Sequence, residues 1–187
     1  MIAGLFVGGA ALRMGGRPKG LLPSPDGSGA LAARLVRICE AAGMRPVLVG
    51  RSPETERLLP GLERIADRPG GIGPIGGFAG LLAAAGAGGA VTLACDMPAV
   101  DEALLRRLLA AAPEAPLLAP RDEAGRWQPF FARWEAARAL PWIEAAIERG
   151  ERSMQRLFDR HATALTLDAA AWRSLRDWDT PADVAAG

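Results

Sequence analysis

Residues 2–7, Ile-Ala-Gly-Leu-Phe-Val, pass without a break into Gly8-Gly9-Ala10-Ala11-Leu12-Arg13-Met14-Gly15-Gly16-Arg17-Pro18-Lys19. An apolar strand that empties into a glycine-rich loop constrains the fold more than any other feature of this chain. The strand must be covered, and the loop must leave the sheet at one edge. Glycines accept positive φ and let main-chain N–H groups approach a ligand closely. Successive N–H groups in such a loop make a concave anion site. Arg13 and Lys19 add full positive charges, which suits a polyphosphate. A surface loop that merely contains two basic residues gives no reason for strand, glycines and cations to coincide.

The rest of the chain alternates short apolar runs with helical patterns. Strands are expected at 2–7, 46–50, 64–66, 90–95, 116–119, 128–133 and 163–167, and helices at 29–42, 53–59, 78–85, 101–112, 134–149 and 153–160. Leu31, Leu35 and Ile38 share one helical face, and Gly43 supplies a stop. The run Ala-Val-Thr-Leu-Ala-Cys at 90–95 is apolar along its length, as for a strand covered on both faces. After Thr180 the tail is expected to add a further helical turn or two. Alternation of this kind implies right-handed βαβ crossovers, hence a three-layer α/β/α architecture on a mostly parallel, twisted sheet of Rossmann-like type. In such folds ligands bind at the carboxyl ends of the strands, near the point where strand order reverses. Three groups fall at strand carboxyl ends and are expected to share one cleft: residues 8–19, Asp67 with the glycines that follow it, and Asp96.

Composition removes several classes of function. At 187 residues, half of them apolar, the chain is expected to form one domain over residues 1–187. A net charge of +1 argues against a nucleic-acid partner. No apolar run approaches the roughly 18 residues of a membrane span. The first residues lack the basic start and cleavage site of a signal peptide, so a cytoplasmic protein is expected. Cys39 and Cys95 have neither metal-ligand nor disulfide spacing and read as small buried apolar residues. His161 is the only histidine, which speaks against a histidine metal site and against imidazole catalysis.

Two familiar phosphate loops fail on inspection. A Walker A loop requires Ser or Thr after its Lys, but Gly20 follows Lys19. The GxGxxG dinucleotide fingerprint is absent, because Ala-Ala-Leu-Arg follows Gly8-Gly9. A nucleotidyltransferase loop fits: a strand, a double glycine, Arg-Met-Gly, then a Lys about ten residues on. In that chemistry a nucleophile attacks the α-phosphate of an NTP and pyrophosphate leaves, so cations and N–H groups must hold the developing charge. Asp96, in Cys95-Asp96-Met97-Pro98 at the end of the most apolar strand, is the candidate ligand for Mg²⁺, which commonly takes one or two carboxylates with phosphate oxygens and water. Its alternative reading is a turn or cap residue ahead of Pro98. Asp67 can contact ribose or base, or simply begin a turn. The cluster Gly70-Gly71-Ile72-Gly73-Pro74-Ile75-Gly76-Gly77 is too glycine-rich for a good helix and is expected to be a loop, either one that a ligand approaches closely or a mobile one.

Together these motifs resemble the molybdenum cofactor guanylyltransferase family over nearly the whole chain. Phe6-Val7-Gly8-Gly9 stands where the family has Leu-Ala-Gly-Gly. Arg13-Met14-Gly15-Gly16 with Lys19-Gly20-Leu21-Leu22 is similar to its phosphate loop, and Cys95-Asp96-Met97-Pro98 matches its strand-end CDxP. Asp67 with Gly73-Pro74-Ile75-Gly76-Gly77, Gln128-Pro129-Phe130-Phe131-Ala132, Gly150-Glu151-Arg152-Ser153 and Asp179-Thr180-Pro181-Ala182-Asp183 resemble further family segments. The resemblance implies transfer of GMP from GTP to Mo-molybdopterin with Mg²⁺, giving the guanine dinucleotide cofactor and pyrophosphate. It implies catalytic roles for Arg13, Lys19 and Asp96, nucleotide contacts at Phe6, Val7, Gly8, Gly9, Arg13, Lys19, Gly50, Asp67 and Asp96, and the metal on Asp96. Residues 1–100 would form the nucleotide half and residues 101–187 the pterin half. An acceptor enzyme or chaperone would receive the product.

The chain departs from the family at Phe6 and Val7, at Pro18 where Asp is common, at Gly50 where Asn is common, and at Asp177 and Asp179 in place of Asn. The last two fall toward the pterin side; Asp179 can equally cap a helix. A cytidylyltransferase for the same cofactor, another small-molecule nucleotidyltransferase and a nucleotide-binding regulator without catalysis are the competing readings. Trp127, Trp134 and Trp142 are either core or a docking or pterin surface.

Overall fold

The structure, a computed structural model, describes residues 1–7 and 18–178. Among these residues seven strands form one sheet: β1 (Ile2–Phe6), β2 (Arg45–Val49), β3 (Arg64–Ile65), β4 (Gly89–Ala94), β5 (Leu117–Pro120), β6 (Phe131–Glu135) and β7 (Thr163–Leu165). Their order is β3-β2-β1-β4-β6-β5-β7. Only β6 runs against its neighbours; the other pairings are parallel. The helices are α1 (Leu31–Ala41), α2 (Pro53–Leu58), α3 (Pro74–Ala85), α4 (Glu102–Ala110), α5 (Ala136–Glu148), α6 (Met154–His161) and α7 (Ala169–Ser174).

The period-two alternation of β1 divides the core. Ala3, Leu5 and Val7 face one layer with Leu35 and Val36 of α1, Leu104 and Leu105 of α4, and Leu175. Ile2 and the half-buried Phe6 face the other, with Phe78 and Leu81 of α3, Ile143 of α5 and Phe158 of α6. Three layers therefore follow from a strand whose two faces are both apolar.

Strand order fixes where a ligand can sit. The chain lays down β1, β2 and β3 in one direction, then returns to place β4 on the other side of β1. The reversal lies between β1 and β4, and in such a sheet a ligand crevice is expected at their carboxyl ends. The end of β1 and Asp96 after β4 flank this crevice.

Local signals explain most boundaries. Ser52, Asp101, Ser153 and Asp168 cap α2, α4, α6 and α7 by accepting from the N–H three residues on. Arg133 of β6 reaches into the core and donates to the carbonyls of Leu109, Ala112 and Ala115 (3.2, 2.5 and 3.3 Å), at and beyond the carboxyl end of α4.

Three expectations change. The glycine cluster does not remain a loop as far as Gly77: α3 begins at Pro74, and its Ile75, Gly76 and Gly77 are buried. Close packing outweighs poor helix propensity there. A Cβ on Gly76 would overlap the Pro69 carbonyl oxygen, and one on Gly80 would overlap that of Ala66. The sixth strand begins at Phe131, so Trp134 belongs to it rather than to the following helix. Helix α7, which the apolar pattern does not announce, follows β7 and carries no buried residue of its own. The turn or two expected after Thr180 lies outside the described residues.

Candidate active site

The crevice is built from main-chain geometry outward. At the end of β1 the N–H of Val7 donates to the carbonyl of Val49 (3.1 Å), and the carbonyl of Phe6 accepts from Cys95 (3.3 Å). The strand that delivers the glycine loop is thus tied on both sides. Gly8, Gly9 and Arg13 lie outside the described residues. Pro18 leads into a single 3₁₀ turn, Lys19–Leu21, in which the N–H of Leu22 donates to the Lys19 carbonyl (3.0 Å). This turn projects Lys19 toward Asp96: Nζ lies 2.7 Å from Oδ2, with side chains 21% and 14% exposed. The two residues are 77 positions apart in sequence. Gly20 seats the turn, since a Cβ there would stand 3.2 Å from Cβ of Ala32 and 3.5 Å from Sγ of Cys95.

The opposite wall comes from β2, β3 and α3. The Phe6 ring lies 4.7 Å from that of Phe78 and 5.2 Å from that of Phe130. Gly77 of α3 faces this ring, Val49 and the Asp67 carboxylate together. Phe6 and Asp67 are therefore neighbours across one helical glycine. Asp67 is half-buried and also lines a cavity of about 450 Å³ with Arg68, Glu144 and Glu148. Gly50 ends β2 at φ 88°, a conformation that favours glycine, and its N–H donates to the Ile65 carbonyl (3.1 Å). That bond commits the amide to β3 and leaves the carbonyl as the group that can face a ligand.

The later motifs gather at the same edge. Arg152 donates to the carbonyl of Ile72 (3.1 Å), tying the Gly150–Ser153 segment to the loop before α3. Gln128 stands in the β5–β6 connection and donates through its N–H to the Pro120 carbonyl (3.0 Å). A cavity of about 750 Å³ opens between this connection and α7, lined in part by Arg126, Gln128, Trp172, Arg176 and Asp177. Trp178 completes the crevice: its N–H donates to the Asp96 carbonyl (3.0 Å), and its ring is buried with Leu22 and Leu31. Sequence reasoning does not single out Trp178. Asp179 lies outside the described residues.

Of the three tryptophans, Trp127 and Trp134 are core residues, and Trp142 stacks on His161 at 4.3 Å. The indole N–H groups of Trp127 and Trp134 donate to Asp159 and to Thr92, which satisfies their polar atoms inside the core. The one histidine stands at the carboxyl end of α6, away from the crevice. Both cysteines are buried as expected, and burial pushes each thiol up to about 12. For Cys95 the Asp96 charge adds to that effect, so no thiolate is available as a nucleophile beside the crevice.

Among the described residues, no group of three or more His, Cys, Asp or Glu side chains could hold a metal ion. The crevice instead offers Asp96, a strand-end carboxylate with a cation already on Oδ2. That fits a metal whose remaining ligands are phosphate oxygens and water.

Residues 3–165 match the family described as the MobA-like NTP transferase domain. The chain belongs to that family. As a MobA-like NTP transferase it is 34% identical to a molybdenum cofactor guanylyltransferase of Pseudomonas putida over 95% of this chain and 92% of that one. It is 35% identical to one from Rhodobacter capsulatus over 98% and 93%. Its fold superposes on the molybdopterin-guanine dinucleotide biosynthesis protein A of Archaeoglobus fulgidus with a TM-score of 0.79, covering 100% of this chain and 96% of that chain at 23% identity. A 2-C-methyl-D-erythritol 4-phosphate cytidylyltransferase from Thermus thermophilus gives 0.68 at 16% identity over 99% and 96% of the two chains, so the architecture alone does not choose the base. No helix among the described residues is long and apolar enough to cross a membrane.

Proposed function

We propose that this MobA-like NTP transferase moves GMP from GTP to the phosphate of molybdopterin, forming the guanine dinucleotide cofactor and pyrophosphate. The observation that carries the reading is the Lys19–Asp96 pair at the strand-order reversal. Identities of 34–35% with guanylyltransferases along nearly the full chain support the choice of substrates.

In this reading a phosphate oxygen of molybdopterin attacks the α-phosphorus of GTP, the bond to the β-phosphate oxygen breaks, and pyrophosphate departs. The attacking phosphate is ionised at neutral pH, so the crevice needs no strong general base. Lys19 and Arg13 neutralise the triphosphate, and main-chain groups at Gly8 and Gly9 cradle it. Phe6, Val7, the Gly50 carbonyl and Asp67 line the nucleoside side. Asp96 would hold Mg²⁺, which when bound draws charge from the phosphates. When GTP arrives, Lys19 exchanges its carboxylate partner for phosphate oxygens.

Residues 1–100 then serve the nucleotide and residues 101–187 the pterin. The cavity of about 750 Å³ is the pterin candidate: Trp172 offers an aromatic face, Gln128 an amide, and Arg126 and Arg176 charge for a phosphate. Use of GTP agrees with action in the cytoplasm, and an acceptor enzyme or chaperone would take the labile product.

The test is calorimetric titration with GTP, CTP and ATP, each with and without Mg²⁺. GTP is expected to bind best and more tightly with Mg²⁺. Preference for CTP, or binding of no nucleotide, refutes the guanylyltransferase reading.

A further inference from the structure

We propose that Trp178 is a positioning residue for nucleotidyl transfer, clasping the segment that follows α7 onto both Asp96 and the turn that carries Lys19. The inference rests on the proposed function only for the roles of Lys19 and Asp96.

Two routes lead from Trp178 to the ion pair. The first is direct: its N–H donates to the Asp96 carbonyl (3.0 Å). The second passes through the indole, buried with Leu22 and Leu31. Leu22 donates its N–H to the Lys19 carbonyl and accepts from the N–H of Leu31 (3.0 and 2.9 Å), so it joins the turn to the start of α1. One residue therefore restrains the backbone of both partners in the 2.7 Å contact.

Among the described residues the cluster holds Leu22, Leu31 and Trp178 and stands apart from the two principal cores. Its loss is expected to leave both faces of the sheet packed, which would separate positioning from general stability. Trp178 also follows Asp177, which lines the 750 Å³ cavity, so the clasp fixes one wall of that cavity relative to Asp96. Catalysis tolerates little error of this kind, since a misplacement of about 1 Å can cost about 100-fold in rate.

Hydrogen exchange by mass spectrometry and steady-state kinetics on the full chain test the proposal, using Trp178→Ala and Trp178→Phe. In the unmodified protein the Trp178 amide is expected to exchange slowly. In Trp178→Ala, exchange at positions 19–22 and 178 is expected to quicken about tenfold or more, while β1, β2 and α3 keep their protection. The same variant should lose about tenfold or more in kcat, with Trp178→Phe within about threefold of the unmodified enzyme. If Trp178→Ala does not fold, Leu22→Ala opens the cluster from the other side and is expected to give the same local pattern. Unchanged exchange at 19–22, a uniform rise across the sheet, or unaltered kcat overturns the proposal. An unmodified protein that binds GTP and turns over while Trp178→Ala matches it defeats the clasp alone. One that binds no nucleotide defeats the functional reading, and exchange still judges the clasp.

Discussion

Gly77→Ala tests whether the close seating of α3 shapes the wall of the crevice proposed to take the nucleotide. A Cβ there would stand 2.9 Å from Cε1 of Phe6, 3.1 Å from Cγ1 of Val49 and 3.3 Å from Oδ1 of Asp67. The Phe6 ring cannot simply swing aside, because Phe78 and Phe130 flank it at 4.7 and 5.2 Å. Overpacking of this kind costs about 1–3 kcal/mol. Replacing a helical glycine by alanine returns about 1 kcal/mol. The net loss of about 0–2 kcal/mol lowers Tm by at most about 8 °C in a chain of this size. The larger effect is local: Phe6 and the Asp67 carboxylate must both move. GTP affinity is expected to fall about three- to tenfold, equivalent to about 0.7–1.4 kcal/mol. Gly80→Ala is the control. Its Cβ meets the main-chain oxygen of Ala66, which has no side-chain freedom, and no nucleotide-side residue is among its nearest neighbours. Gly80→Ala should therefore lose more stability, and Gly77→Ala more GTP affinity. Differential scanning calorimetry and GTP titration on the two variants decide the matter. Equal GTP affinity in Gly77→Ala and the unmodified protein would refute the reasoning.

Asp96→Asn keeps the shape and an acceptor for Lys19 but removes the charge; turnover should fall about 1,000-fold or more in a steady-state pyrophosphate-release assay. Lys19→Ala should weaken GTP binding about 10- to 100-fold by calorimetry, the loss expected for a charge-assisted contact. Arg133→Met keeps most of the volume but strips donors from three carbonyls around the end of α4, so it should cost about 3 kcal/mol and be read as a lower urea midpoint. Cys39 and Cys95 should resist a thiol reagent until the protein unfolds. Their thiols ionise near 9.0 when unfolded and near 12 when folded, so the stability they contribute is complete below pH 9 and lost as pH rises toward 12; urea midpoints across that range check the sign.

Much of the architecture was legible because local and global preferences agree. The apolar runs at residues 2–7 and 90–95 read as strands, the second as one covered on both faces, and they became β1 and β4, paired in parallel. Asp101 announced a helix start through its cap. The glycine cluster misled because its propensity opposes its packing. Gly76, Gly77 and Gly80 make α3 a poor isolated helix, yet they let it approach Pro69, Phe6 and Ala66 more closely than side chains would allow. Propensity concerns the segment alone, and the deciding contacts come from elsewhere in the chain. Trp134 misled in a related way: it opens a helical-looking stretch, but pairing opposite Ala90 holds it in β6.

The site shows the same division. Lys19 and Asp96 could be brought together from sequence because each follows a strand and both strands border the reversal of strand order; topology then does what pattern alone cannot. Trp178 carried no such signal. Its decisive contact is a main-chain N–H, which every residue but proline owns, and among the described residues its indole joins a cluster of three. A sequence pattern registers side chains that recur with the period of a strand or helix. A clasp made by one amide and one ring has no period, and it becomes visible only when Trp178 is seen lying against Asp96. That is why the residues proposed for the chemistry could be singled out before the fold was known, while the residue proposed to hold them in place could not.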